Sequence, residues 1–297
     1  MSYSLVQGRM KALVLLAVAV ATSLAAGVEA EEHAEQKAQA ARQIVLSEFE
    51  ATARGFPSLL DLNGNPLADG DFAQWLEGER LRVRIIYQFK DGRRIEETGA
   101  FHQKPHLVQH EWTWVETRNG VTQRKFAVNF GTQQATADKR EGGKLKQWSE
   151  KLDHLNAGQT FAGFGFTLAI KGVRERLIKG GKVELQAVGF TPKPRLVSVE
   201  ISYGGLDRVQ MGGRALTGER FLIHPRIPKI AKLFIEVPDT RIWLTSPRPA
   251  GFLRWEGTLV EPDDPIVRVD LLPGGKSGRA ASVAVDERST GNGKQNK

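Results

Sequence analysis

Period-two alternation of apolar and polar residues dominates the middle of the chain. In Leu81-Arg82-Val83-Arg84-Ile85-Ile86-Tyr87-Gln88-Phe89 every odd position is apolar, which predicts a strand with one buried face and one polar face. Lys90-Asp91-Gly92-Arg93 then turns the chain. Strands follow at 94–101, 107–117 and 121–130, the last two joined by the hairpin signal Arg118-Asn119-Gly120. After an interruption the alternation resumes at 182–190, 195–203, 220–224, 233–237, 241–244, 252–260 and 266–272. That is about ten or eleven strands, more than one open sheet usually holds without curling.

Between the two runs, Phe166, Ile170, Val173 and Leu177 recur at helical spacing. Arg174, Glu175 and Arg176 fall off that stripe, and Gly180-Gly181 supplies a stop. The expected fold is mainly β (α+β): a strongly curved antiparallel sheet, or half-barrel, wrapped around a central amphipathic helix, so that both apolar faces share one core.

Residues 31–56, rich in Ala, Glu, Gln and Lys, read as an N-terminal helix whose apolar residues thicken near Ile44, Val45, Leu46 and Phe49 and which ends at Gly55-Phe56-Pro57. Pro66 and Gly70 mark a loop before the alternation begins. Residues 57–272 make up the β domain. The tail at 273–297 is Gly, Ser, Lys and Asn with little to bury, and is expected to be disordered.

Arg9 and Lys11 precede a short apolar stretch from Ala12 to Ala26, and Val28-Glu29-Ala30 puts small residues where a leader is cleaved. Residues 1–30 therefore read as a secretory signal peptide, which implies a periplasmic or secreted protein. The apolar run falls short of the roughly 20 residues that a spanning helix needs.

Composition narrows the chemistry further. The 297 residues carry a formal net charge of +8 and no cysteine. Disulfides, thiolate zinc sites, iron–sulfur clusters and cysteine nucleophiles are thereby excluded. A basic exported protein meets anionic lipid head groups and cell-wall polymers first, so an anionic membrane surface is a candidate partner and nucleic acid is disfavoured by location. Protein partners cannot be read.

Catalytic motifs are tested and set aside. His102, His106 and His110 recur every four residues, but Pro105 and the β pattern argue against a helix, and in one strand such residues lie too far apart to share a metal ion. Gly275-Lys276-Ser277 lacks the first glycine of a phosphate loop, and Gly163-x-Gly165 lacks the third glycine of a dinucleotide site. The adjacent acids Glu96-Glu97 and Asp263-Asp264 point to opposite strand faces and read as solvated edges. A hydrolase would need convergent carboxylates or a Ser–His pair that the sequence does not place. No catalytic residue, metal or cofactor is assigned.

The aromatic residues carry more. Trp112, Trp114, Phe126, Phe164, Phe166, Trp243 and Trp255 are candidates to line an apolar cavity for a lipid or other hydrophobic small molecule, against the plainer reading that they fill a core.

A run of strands, an inserted helix and a second run of strands ending in Asp239-Thr240-Arg241-Ile242-Trp243-Leu244 and Phe252-Leu253-Arg254-Trp255-Glu256-Gly257 resemble the periplasmic half-barrel proteins related to the lipoprotein carrier LolA. Uncharacterised bacterial families of the same build look similar too. The resemblance covers residues 75–272. It implies a binder or carrier that holds acyl chains in a concave apolar face under a helical lid, and it transfers no ligand residue. The alternative is an envelope structural or interaction protein that is held to anionic lipid or polymer by its basic face, with a filled barrel.

Overall fold

The structure, a computed structural model, describes residues 43–226 and 238–271. The expected signal peptide, the strand at 233–237 and the tail at 273–297 lie outside the described residues.

The first half of the sheet is a meander: β1 (Ala53–Gly55), β2 (Ser58–Leu60), β3 (Pro66–Glu77), β4 (Arg80–Phe89), β5 (Arg93–His102), β6 (Val108–Arg118), β7 (Val121–Asn129), β8 (Gln134–Glu141) and β9 (Lys144–Lys151). A short β10 (Thr160–Phe161) leads into helix α1 (Gly165–Ile178). The second half follows as β11 (Val183–Phe190), β12 (Pro194–Met211), β13 (Arg214–Pro225), β14 (Thr240–Thr245), β15 (Phe252–Thr258) and β16 (Ile266–Asp270).

These strands make one mainly antiparallel, barrel-like sheet of 16 strands. Its spatial order runs from β10 through β16, crosses from β16 to β2, and continues to β9, with β1 paired off this path to β3. The two ends of the sheet, β9 and β10, are therefore neighbours in sequence but share no ladder. Across this seam Lys193 meets Glu150 at 3.5 Å. Among the described strands only β10 and β11 pair in parallel, because the chain between them returns through helix α1.

Helix α1 ends as its glycines require. Gly180 takes a φ of +85°, and the Gly180 and Gly181 amides donate to the Leu177 and Arg176 carbonyls at 2.9 and 3.1 Å. Its first half is buried on all sides from Gly165 to Ile170. Phe166, Leu168, Ile170 and Leu177 pack in one cluster with Leu81, Val83, Val199, Ile201, Phe221 and Ile242. Arg174 corrects the expectation that it lies off the buried stripe, because it is buried and forms a two-pronged ion pair with Glu219 of β13.

Three further differences have local causes. Residues 43–56 are not helical in their described part: Ile44 and Leu46 are buried while Val45 is 63% exposed, an alternation that lays an extended segment against the helix at Gly172. Residues 66–77 form β3, where the punctuation by Pro66 and Gly70 suggested a loop. Gly70 sits there because a Cβ would strike the Pro57 carbonyl and the Tyr87 ring. The interruption after residue 130 holds the β8–β9 hairpin, turned at Gly142-Gly143, whose buried residues include only small ones on β8, Ala135 and Ala137.

Candidate functional site

A cavity of about 830 Å³ opens inside the sheet. A second cluster forms its packed surroundings: Tyr87, Ile95, Trp112, Trp114, Phe126, Val188 and Phe190. Ile85 and Trp255 bridge this cluster to the one around the helix. Most of the lining is aliphatic or aromatic, the composition expected of a pocket for a largely apolar molecule.

Of the seven aromatic residues singled out in the sequence, Trp112, Trp114, Phe164, Phe166 and Trp255 line this cavity. Phe126 does not. It is fully buried behind the wall, with its ring centroid 5.7 Å from Trp114 and 4.7 Å from Phe190. Trp243 is also a correction. Ile242 and Leu244 take the inner face of β14, so the residue between them points the other way and packs with Val209, Met211 and Leu253. Its indole donates to Asp207 at 2.7 Å.

Glu97 is an acid set in the cavity lining, and it corrects the solvated-edge reading. Glu96 and Glu97 do point to opposite faces, but the inward one lies deep in the fold and faces the cavity. Its Oε1 accepts hydrogen bonds from Trp112 Nε1 and from the Phe164 amide, each at 2.9 Å. Burial pushes the Glu97 carboxyl above the ordinary glutamate range, against the pull of those two hydrogen bonds. Tyr87, buried beside it, is raised too, first by burial and then by the Glu97 charge.

This geometry is built in steps. On β6, Gln109 is 1% exposed and bonds both backbone groups of Ala162: its Nε2 donates to the carbonyl at 3.1 Å, and its Oε1 accepts from the amide at 2.8 Å. That fixes the entry to the helix. Gly163 then takes a φ of +51°, and an added Cβ would overlap Glu97 Oε1 and Trp112 Nε1. The glycine brings the Phe164 amide within reach of the carboxylate. Glu97, Gln109 and Gly163 carry no sequence motif that marks them as parts of one site. The signal for the first lay in the phase of β5, where Ile95, Gly99 and Phe101 are buried at the same parity.

Near the rim, Lys171 of the helix binds Glu50, which also accepts from Gln74 Nε2 at 3.0 Å. Gln103 ties down the same segment through the Glu50 amide at 2.7 Å and its carbonyl at 3.0 Å. Asp264 is likewise not a solvated edge. With Glu116 and Glu261 it surrounds Arg124 at 2.7–2.8 Å, and all four side chains are at most 12% exposed. Burial opposes the Arg124 charge, but Asp264 and Glu116 outweigh it and hold the guanidinium protonated.

The histidines do not stay apart as the one-strand argument implies. His102 and His110 sit on paired strands, and their ring nitrogens meet at 2.8 Å. Burial and then the His102 charge push His110 below its ordinary range. Among the described residues no group of three His, Asp or Glu side chains stands together as a metal site.

No family model matches the chain, and no curated protein matches it. Among solved structures, it is similar to a β-barrel-like protein of the domain of unknown function DUF1849 from Brucella abortus, with 10% identity and a TM-score of 0.41 over 77% of this chain and 97% of that one.

Proposed function

We propose that this is an exported envelope protein that binds a hydrophobic or lipid-like ligand in the cavity of its curved sheet, in the manner of the LolA-like half-barrels. The observation that carries this reading is the cavity itself: about 830 Å³ of space in a sheet whose strands could have packed it shut. Trp112, Trp114 and Trp255 on its wall give a direct optical readout.

Native mass spectrometry of protein purified without detergent is expected to show bound lipid or another apolar molecule. Titration of delipidated protein with single-chain amphiphiles should shift the tryptophan emission. Ala187 lines the cavity, and Ala187→Phe should weaken binding about tenfold by occupying the space a chain would fill. An empty native protein together with unmoved fluorescence would overturn the proposal. Retention of that empty protein on anionic vesicles, lost at high salt, would favour the basic-face alternative.

A further inference from the structure

Most charged groups around the cavity are neutralised by neighbours. Lys171 is bound to Glu50. Arg226 reaches Glu184 at 2.6 Å and Glu200 at 2.5 Å. Arg195 is exposed, with its guanidinium 3.5 Å from the Thr191 carbonyl.

Glu97 differs from Lys171 and Arg226 in having no ion pair, and from Arg195 in not being exposed to solvent. Among the described residues it has no cationic partner, and its second oxygen, Oε2, takes no hydrogen bond. Two N–H donors on Oε1 solvate the acid but do not neutralise it, and an unpaired charge in an apolar wall is unfavourable. Anchoring the helix entry does not require a charge, since a glutamine oxygen could accept the same two bonds. The carboxylate therefore exceeds what the fold needs from this position. Trp112 and Trp114 line the same wall, Trp112 stacked on Phe190 with ring centroids 5.7 Å apart and Trp114 carrying the Arg124 guanidinium 5.0 Å from its ring, so both present apolar surface to a chain bound beside Glu97.

Resting on the cavity reading above, we infer that Glu97 is a specificity residue for a cationic amphiphile. The ligand's protonated amine would sit at Glu97 Oε2, and its apolar chain would lie along the aromatic wall. A bound ammonium would supply the missing partner and reverse the upward push that burial exerts on the carboxyl.

Three probes with the same chain and different heads test this: dodecylamine, dodecanol and dodecanoic acid, each titrated below its micelle concentration while tryptophan emission is followed. At near-neutral pH the wild-type protein is expected to bind the amine about tenfold more tightly than the alcohol, and the acid most weakly. Glu97→Gln should lose about tenfold for the amine and leave the alcohol unchanged, the alcohol serving as the check that the cavity is intact.

The inference is overturned if the acid binds the wild-type protein as tightly as the amine, or if Glu97→Gln binds the amine as before. Should Glu97→Gln fail to fold, the wild-type ranking of the three heads decides by itself. Binding of alcohol and acid with no preference for the amine removes the inference and leaves the cavity reading standing. Failure of all three probes removes the inference, and together with an empty native protein it removes the cavity reading as well.

Discussion

At Gly163 two requirements coincide: a left-handed backbone, and no side chain between the Phe164 amide and the Glu97 carboxylate. Gly163→Ala is therefore expected to lower stability by about 2 kcal/mol, read as a drop in the urea midpoint, and to weaken binding of any chain probe. An alanine variant with wild-type stability would mean that the helix entry relaxes freely. Glu97 gives a pH dependence with a definite sign. Burial holds its carboxyl above the ordinary range in the folded chain, so its contribution to stability is complete below the unfolded-state value and is lost as pH rises through the folded one. Glu97→Gln should match the wild-type protein most nearly at acid pH and gain on it as pH rises. A difference that stays constant with pH would contradict this.

Among the elements, helix α1 was the most legible, because its stripe, its glycine stop and its length were all local signals. What the stripe hid was Arg174. A charged residue beside an apolar face normally reaches solvent, and the distant Glu219, on which the guanidinium closes with two prongs, makes its burial tolerable. Removing Glu219 leaves Arg174 buried with only the exposed Glu175 at 3.1 Å, so Glu219→Ala should destabilise the protein by about 3 kcal/mol, measured by chemical denaturation. Replacing both partners together, as Arg174→Met with Glu219→Leu, should recover most of that loss. Strands β4 to β7 were visible because large apolar residues alternate along them, whereas β8 buries Ala135 and Ala137, too small to stand out from loop composition. Residues 43–46 were misjudged for a related reason. Three consecutive apolar residues fit either period, and only packing against α1 selects the extended form.

For the molecule as a whole, curvature could be anticipated from the strand count and an apolar cavity from the aromatic residues, but neither the site of the seam nor the cavity's size could. Both depend on which strand ends meet, a property of long-range pairing that no local pattern encodes. Edge strand β9, paired on one side only, is expected to exchange its amide hydrogens well before β4, β5 and β6, which are paired on both sides. Equal protection would mean that something covers that edge.

The two halves of the sheet are joined where β16 pairs with β2, through Arg268 with Leu60, Val269 with Leu59 and Asp270 with Ser58. These partners come from opposite ends of the described chain, whereas every other antiparallel pairing along the main path joins strands consecutive in sequence. Each meander can form from contacts close in sequence, but this splice needs both ends of the described chain in place, and it carries the largest loop-closure entropy in the fold. Closure of the cavity, walled from both halves, is accordingly the last event of folding and not the first.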